Sequence, residues 1–337
     1  MFKKGLIFFI GSFFIFSLLL TGVGHTQAKP VTLTYSIFFP ATHMHTILAT
    51  EWGKEIEKRT NGAVKITMFP GATLTPPNQA YDGVVKGISD IAMSVFSYTP
   101  GRFPLMEIID MPLGYKSAVQ STHLCNAFFK KFHPKELDAV QVMYLHGHGP
   151  GILHTKKPVQ KLEDLKGVKI RCTGTTAKFV AHLGGVPVAM PQTETYDALQ
   201  KGVVDGVMNP FEALKGWKIA EVIKSTTINT GSAYSMAFFV VMNKQKWNAL
   251  PKETQAVIEK VNEEWIEKTG KAWDEIDKGG IEFTKSKGNQ IITLSKQEDE
   301  KWVKMGQPIF EETAKAIKAK GLPGDEALKF IQDYLKK

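Results

Sequence analysis

The chain has 337 residues, of which 43% are hydrophobic and 22% charged, the balance of an ordinary globular protein. Its net charge of +9 comes from lysines scattered along helical patterns such as residues 51–58, where they stand opposite glutamates, and no basic block stands out. This makes nucleic-acid binding a weak interpretation, whereas a generally positive surface would help to attract organic anions.

The first 28 residues have the features of a signal peptide. Lys3 and Lys4 precede an apolar stretch over residues 5–20, and a short polar stretch then ends at a plausible cleavage site after Ala28. The apolar stretch is shorter than the ~20 residues that a membrane-spanning helix needs, and no cysteine follows it for lipid attachment. We therefore expect export as a soluble protein, with an uncleaved membrane anchor as the alternative. The remaining chain is long enough for two domains.

The first part of the mature chain alternates strand and helix patterns. Alternating apolar and polar residues predict strands, and apolar residues at helical spacing predict helices, with glycine or proline after most of them. The predicted order is strand 31–38, helix 43–60, strand 64–68, helix 77–86 and strand 90–95.

The same order of elements returns later in the chain. Residues 81–90 align with residues 196–205, and both copies place a glycine where a helix needs a left-handed C-cap before an apolar strand. An upstream strand also recurs, residues 63–66 against 167–170. We interpret this as two α/β lobes of similar construction, each with a mainly parallel sheet flanked by helices; a chance likeness of two ordinary turns is the alternative.

A glycine-rich stretch, residues 146–151, separates the two lobes. It resembles a GxGxxG dinucleotide motif only superficially, because residues 152–155 predict a strand where that motif needs a helix. Its glycines and proline suit a crossover or hinge, and we expect a second crossover near residue 236. Further on, residues 252–287 predict one long helix or two joined ones, interrupted at Gly279-Gly280, that could brace both lobes. Residues 300–337 are helical, with a break at 321–324.

Arginine is rare in this chain, and one arginine has an unusual position. Only three of the 42 basic residues are arginines, and Arg171 ends an apolar strand just before residues 173–176 begin a helix. A guanidinium binds a carboxylate through two parallel hydrogen bonds, and a helix N-terminus adds backbone donors. The pattern favours a small anion site; pairing with an internal Asp or Glu, or a side chain that reaches the surface, is the alternative.

The motifs of common enzymes are absent from the sequence. It contains no HExxH, P-loop or GxSxG, so we predict neither an enzyme nor a cofactor. His146, His148 and His154 could be read as a metal cluster, but no acidic or thiol ligand is nearby, and we favour histidines in a loop or lining a cleft. Cys125 and Cys172 could form a disulfide in an oxidising compartment or remain two buried thiols.

Three segments carry a resemblance to a known family. Residues 162–171 and 191–210, together with residues 98–104, closely resemble the solute-binding proteins of TRAP (tripartite ATP-independent periplasmic) transporters, the DctP-like family. The resemblance extends over nearly the whole mature chain and is most specific between residues 162 and 210. It implies a two-lobed periplasmic-binding-protein fold that closes on an organic anion.

The resemblance also implies roles for individual residues. In the family, an arginine at a strand end forms the salt bridge to the ligand carboxylate, and that position is Arg171; an asparagine that lines the site corresponds to Asn209. A second arginine binds the ligand in some members, but the matching stretch, residues 149–153, has none. Space left by Gly151 would then suit a bulkier or apolar acid.

The remaining candidate ligand-binding residues are weaker predictions. Gln192 and Tyr98 are secondary candidates for contacting the acid. His148 and His43 could contact the part of the ligand away from its carboxylate. His43 and its neighbour His45 stand at the start of the first helix, where a solvated helix end is an equal alternative. Three aromatic residues near expected cleft positions could contact the ligand or belong to the core: Phe39, Tyr98 and Phe211.

We therefore predict a periplasmic receptor that captures a small organic acid between its lobes and delivers it to TRAP permease subunits. A receptor for an ABC importer and, less favoured, a periplasmic enzyme on the same fold are the alternatives. We expect a monomer with no metal and no cofactor. The predicted division is a signal peptide (1–28), lobe I (29–148 and about 236–275) and lobe II (149–235 and about 276–337).

Overall fold

The computed structural model describes Met1 and residues 29–336, so the predicted signal peptide lies almost wholly outside the described residues. The strands are β1 (Val31–Ile37), β2 (Val64–Phe69), β3 (Ile91–Val95), β4 (Val140–Gly147), β5 (Ile152–Thr155), β6 (Lys169–Cys172), β7 (Val186–Ala189), β8 (Gly206–Asn209), β9 (Ser225–Ile228), β10 (Ala237–Asn243) and β11 (Gln290–Thr293). The helices are α1 (Met44–Arg59), α2 (Ala80–Val85), α3 (Ala118–Phe132), α4 (Gly174–His182), α5 (Gln192–Gln200), α6 (Glu212–Gly216), α7 (Lys244–Asn248), α8 (Lys252–Ser286), α9 (Lys296–Ala319) and α10 (Gly324–Leu335). Within residues 29–336, no helix combines the length and apolar character that crossing a bilayer requires.

The strands form two sheets of matching design, which confirms the predicted two-lobed α/β fold. The lobe I sheet has the order β2-β1-β3-β10-β4, and the lobe II sheet, taken from its other edge, has the order β7-β6-β8-β5-β9-β11. In each sheet three parallel strands are followed by one antiparallel strand, β10 or β5. The sheets are therefore mixed: β5 and β10, the strands that follow the two crossovers, each run antiparallel to their neighbours β8 and β3.

Both lobes repeat one order of elements, but the upstream strand of lobe I that corresponds to β6 is β1 and not β2. Gly87 and Gly202 both end a helix with positive φ, at +74° and +75°, as predicted. β2, however, is an edge strand, whereas β6 lies inside its sheet in the place that β1 occupies in lobe I. The shared Val-Lys-Ile letters reflect a common strand composition, and strand composition does not encode position in a sheet.

The long helix α8 is continuous over 35 residues and contacts both lobes, as predicted. It packs against α1, α3 and β4 of lobe I and against α6 of lobe II. The Gly279-Gly280 pair does not interrupt it. A Cβ on Gly280 would collide with the backbone carbonyl of Phe211, so this glycine allows the helix to approach the chain just after β8.

The C-terminal helices divide between the lobes. α9 contacts α4 of lobe II, whereas α10 contacts α3, and its residues Ala327, Ile331 and Leu335 are buried in a hydrophobic cluster with Leu124 and Phe128 of lobe I. The predicted division places residues from about 276 to 337 in lobe II, and the contact between α10 and lobe I is not part of that prediction. The cysteines are two separate buried thiols, Cys125 in lobe I and Cys172 in β6.

Candidate ligand-binding site

A small cavity of about 20 Å³ lies between the lobes, at the ends of the central strands. Lobe I, lobe II and the long helix α8 all contribute to its wall. The lining residues are Phe38, Phe39, Tyr98, His148, Gln192, Asn209, Pro210, Glu212, Ala213, Trp217, Met236, Phe238 and Trp273.

Arg171 stands behind the polar end of this cavity with an incomplete set of partners. It pairs in register with Val188 of β7 and Val207 of β8, so the sheet holds its backbone on both sides. The side chain is 1% exposed; its Nε donates to the Met190 carbonyl at 3.0 Å and its Nη1 to Asn209 Oδ1 at 3.1 Å. Nη2 is buried without a hydrogen-bond partner, and no acidic side chain in the described part of the chain forms an ion pair with this guanidinium.

Asn209 and Gln192 form a short chain of amides next to the guanidinium. Asn209 ends β8 and Gln192 begins α5, so both lie at the same edge of the lobe II sheet as Arg171. Asn209 Nδ2 donates to Gln192 Oε1 at 3.0 Å, which leaves Gln192 Nε2 buried without a partner. The two amides therefore orient Arg171 and offer a further free N–H donor.

Tyr98 reaches this group from lobe I. It ends a short 3-10 helix, Phe96–Tyr98, directly after β3, and its hydroxyl accepts the Gln192 backbone N–H at 3.2 Å. Because the hydroxyl oxygen accepts here, its own proton remains available for a ligand. Burial raises the pKa of Tyr98, and the positive charge of Arg171 opposes that rise. The Tyr98 hydroxyl therefore remains protonated at neutral pH and can donate.

The start of α4 does not supply the backbone donors that the sequence suggested. Thr173 and Thr176 cap this helix, and none of residues 173–176 lines the cavity. Gly174, with φ at +50°, instead packs against Ser97 and Asp110 of lobe I. The helices that begin at the cavity are α5, through Gln192, and α6, through Glu212.

The opposite end of the cavity is aromatic. The Phe38 and Phe39 rings stack at 4.4 Å between centroids, and the Phe38 ring lies 6.1 Å from Trp217 of lobe II. Phe238 and Trp273 close this end, with ring centroids 5.3 Å apart. Such a surface favours a flat apolar group over a hydrated one.

Two predicted candidates do not line the cavity. The His43 ring stacks behind Phe39 at 4.2 Å; its Nδ1 accepts the His45 N–H, and its Nε2 lies 2.5 Å from Glu212 Oε1. Both ring nitrogens are thus engaged within the protein. Phe211 packs in the lobe II core, with its ring 6.0 Å from His154. The other six predicted residues either line the cavity or, for Arg171, contact a residue that does.

Sequence reasoning missed several wall residues. Phe38, Trp217, Phe238 and Trp273 have the same spacing and neighbours as ordinary core residues, so periodicity cannot single them out. Glu212 follows the Asn209-Pro210 turn by two residues, and that proximity was the one usable signal.

Gly151 does not leave empty space for a larger acid, contrary to our expectation. A Cβ at this position would collide with the ring of Tyr234, whose hydroxyl donates to the Met208 carbonyl at 2.8 Å. Gly151 and Tyr234 also exchange two backbone hydrogen bonds, which join the two crossovers. The protein's own tyrosine therefore occupies the volume beside Gly151.

Two of the buried histidines, His146 and His154, are held by protein groups. His146 accepts a hydrogen bond from Trp273 Nε1 at 3.0 Å, and His154 contacts Thr226 Oγ1 and the Asn209 carbonyl. Burial lowers the pKa of His146 to about 3 and that of His154 to about 4. Residues 29–336 contain no group of three His, Cys, Asp or Glu side chains arranged to hold a metal ion.

The family model for the bacterial extracellular solute-binding proteins, family 7 (DctP), matches residues 35–316 of this chain. The chain belongs to this family. A relative named C4-dicarboxylate-binding periplasmic protein DctP, from Rhodobacter capsulatus, is 25% identical over 307 residues, which cover 89% of this chain and 91% of the relative.

Solved structures of TRAP solute-binding proteins are similar over almost the whole chain. One from Bordetella bronchiseptica with bound mandelate is 30% identical with a TM-score of 0.84, covering 91% of this chain and 99% of that one. One from Rhodoferax ferrireducens with copurified benzoate is 26% identical, also at 0.84, covering 91% and 98%. The predicted TRAP receptor class is therefore confirmed, and the ABC-importer alternative is not supported.

Proposed function

We propose that this receptor captures an aromatic monocarboxylate in the interlobe cavity and delivers it to a TRAP permease. The observation that carries the proposal is the guanidinium of Arg171, which is buried, lacks an acidic partner in the described chain, and stands at the polar end of an aromatic cavity. The export of the chain through a cleavable signal peptide and its action as a monomer are parts of the same proposal.

The carboxylate is assigned to Arg171. A buried charge without a counter-ion is unfavourable, and a ligand carboxylate supplies both the opposite charge and the acceptor that Nη2 lacks. Gln192 Nε2 and the Tyr98 hydroxyl proton are two more donors beside it. Together they can satisfy both oxygens of one carboxylate.

A single carboxylate fits the wall better than two. No lysine or arginine is among the lining residues, so Arg171 behind the wall is the one cation described beside the cavity, and Glu212 places a carboxylate on the wall itself. A second ligand carboxylate would face this acidic group without a cation of its own. We therefore disfavour C4-dicarboxylates, although a DctP relative is named for them.

The aromatic character of the ligand is supported by the wall and by the relatives. Phe38, Phe39 and Trp217 can pack against a ring, and ring contacts add about 0.5–1.5 kcal/mol to the burial of apolar area. Solved relatives between 26% and 30% identical hold benzoate, 3-hydroxybenzoate and mandelate. These ligands each combine one carboxylate with one ring.

The test is a binding panel on the mature chain after bound small molecules have been removed. Isothermal titration calorimetry with benzoate, phenylacetate and mandelate should give at least one Kd in the micromolar range or below. Succinate, malate and glucuronate should bind at least a hundredfold more weakly. Tighter binding of a dicarboxylate or a sugar acid would overturn the proposal.

A second measurement tests whether the protein only binds the acid or also converts it, as an enzyme would. Native mass spectrometry of the freshly purified protein, followed by denaturation, should release an intact aromatic acid in a one-to-one ratio. The same acid should be recovered chemically unchanged after long incubation with excess protein. Conversion of the acid would contradict a purely receptor function.

A further inference from the structure

The His148 ring exposes an acceptor that carboxylate binding does not use. Its Nδ1 lies 2.5 Å from the carbonyl oxygen of Gly149. Because a carbonyl only accepts, Nδ1 carries the ring proton, and in the neutral imidazole Nε2 is then a bare acceptor. Nε2 is buried and meets no donor in the described chain. A carboxylate cannot satisfy Nε2, because it has no proton to donate.

The imidazole is fixed in this state. The His148 carbonyl accepts the hydroxyls of Ser121 and Ser235, each at 2.8 Å, so its backbone is held from two sides. Gly149 packs so closely on Asp277 of α8 that a Cβ would collide with the carboxylate. Burial, helped by the charge of Arg171, lowers the pKa of His148 to about 4, so the ring is neutral at physiological pH.

His148 lies where the polar and aromatic ends of the cavity meet. On one side its ring is 5.1 Å from Tyr234, whose hydroxyl bonds the carbonyl of Met208, the residue before Asn209. On the other side its ring is 6.2 Å from both Phe238 and Trp273. A ligand with its carboxylate at Arg171 and its ring among the aromatic side chains would have the carbon that joins the two beside His148.

We propose that the ligand carries a hydrogen-bond donor, in the simplest case a hydroxyl, on the carbon next to its carboxylate, and that His148 Nε2 accepts from it. This inference rests on the proposed function and narrows it to 2-hydroxy aromatic acids. Leaving a buried acceptor unpaired reduces affinity roughly five- to hundredfold, so an acid without the hydroxyl should bind more weakly.

Glu212 is a second acceptor on the wall that a ligand donor could reach, and it predicts a different ligand. Its Oε1 is held by His43, and its place on α6, near Trp217, puts it toward the aromatic end. A donor on the far side of a ring would meet Glu212 and not His148. The two acceptors can therefore be separated by the position of the ligand hydroxyl.

The experiment compares phenylacetate with each enantiomer of mandelate, which differ only by the 2-hydroxyl, in the wild type, H148F and E212Q. We expect one enantiomer of mandelate to bind the wild type about tenfold tighter or more. The readout is the ratio of the two affinities within each protein: in H148F mandelate and phenylacetate should bind about equally, because the acceptor is gone, whereas E212Q should keep the ratio of the wild type.

Equal binding of phenylacetate and mandelate by the wild type would overturn the inference, as would a preference that survives in H148F. A preference for 3-hydroxyphenylacetate alone, lost in E212Q, also overturns it by assigning the donor to Glu212. If none of these acids binds while a dicarboxylate does, the proposed function itself has failed.

A measurement on the unmutated protein guards against a variant that does not fold. In ¹⁵N NMR of histidine-labelled protein, His148 should show a protonated Nδ1 and a bare Nε2 without ligand. The Nε2 resonance should move on addition of mandelate and change little with phenylacetate. A protonated Nε2, or the same shift with both acids, would contradict the assignment.

Discussion

Arg102 lies at the surface of lobe I, and Arg171 lies at the end of a central strand of lobe II. The Arg102 guanidinium donates to both oxygens of Asp82 at 2.6 Å and lies 4.7 Å from the Tyr81 ring centroid. The Arg171 guanidinium has only neutral acceptors, Met190 O and Asn209 Oδ1, and one nitrogen without a partner.

The difference shows where the capacity to bind an anion is retained. The bidentate pair of Arg102 and Asp82 is exposed, at 36% and 40% for the two side chains, and contributes little to stability. Arg171 is buried, so water cannot solvate its charge fully. A carboxylate that pairs with it therefore interacts more strongly than one that pairs with an arginine at the surface. A ligand acid can form with Arg171 the bidentate ion pair that Arg102 already forms with Asp82.

Replacing the buried guanidinium should have the largest effect. Arg171→Lys removes the planar donor fork but keeps the charge, so affinity for an aromatic acid should fall about a hundred- to thousandfold. Isothermal titration calorimetry measures the loss, and circular dichroism should show an unchanged fold. An Arg171→Lys variant that binds within fivefold of the wild type would contradict the role given to this residue.

Giving Arg171 an internal carboxylate should convert it toward the state of Arg102. Asn209→Asp places an acidic oxygen where Oδ1 now accepts from Nη1 at 3.1 Å. We expect the Gln192 amide to turn and donate to the new carboxylate, the melting temperature of the ligand-free protein to rise, and the affinity for the acid to fall by tens of fold. Thermal unfolding and calorimetry test both changes together. A variant with unchanged affinity would show that the ligand carboxylate binds elsewhere.

The aromatic end should contribute less than the arginine. Trp217→Leu removes a ring that faces Phe38 across the cavity, and affinity should fall about tenfold. Trp247→Leu is the matched control, because Trp247 is buried in the core of lobe I away from the cavity. The control should lower the melting temperature and leave Kd unchanged; equal losses of affinity in both variants would contradict a direct contact.

Affinity should change less than twofold between pH 5.5 and 7, below the pKa of Asp277 beside the site, which burial raises to about 8. The pKa of His148 is lowered from its ordinary value near 6.5 to about 4, so the ring stays neutral through this window. If His148 instead gained a proton near pH 6.5, its positive charge would strengthen carboxylate binding as the pH falls. Calorimetry at four pH values distinguishes a flat profile from a rising one.

The exposed arginine should matter least. Arg102→Lys replaces a bidentate surface pair by a single contact, which costs about 0–1 kcal/mol of stability and nothing in ligand affinity. A small drop in melting temperature at constant Kd is expected. A marked loss of binding would show that the surface and buried arginines are coupled.

The sequence brings forward the polar candidates of this site in two different ways. Arg171 is singled out by its local pattern, an arginine near the end of an apolar strand, whereas Asn209 is predicted from the resemblance to the TRAP family. The two residues lie at one sheet edge because β6 and β8 are parallel neighbours. What strand patterns do not contain is sheet order, which explains the wrong match between β2 and β6.

The aromatic end could not be predicted in the same way. Phe38 and Trp273 come from chain segments more than two hundred residues apart, and both have the spacing of core residues. Whether such a ring packs in a core or faces a cavity depends on how two lobes meet. The contact of Tyr234 with Gly151 could not be predicted either, because it depends on the pairing of the two crossovers, which are distant in sequence.

The most direct test of the account is a crystal structure of the mature chain with mandelate bound. The account predicts that one carboxylate oxygen lies within about 3.2 Å of Arg171 Nη2, with the ring among Phe38, Phe39 and Trp217. A carboxylate bound away from Arg171, with Nη2 still unpaired, would contradict it.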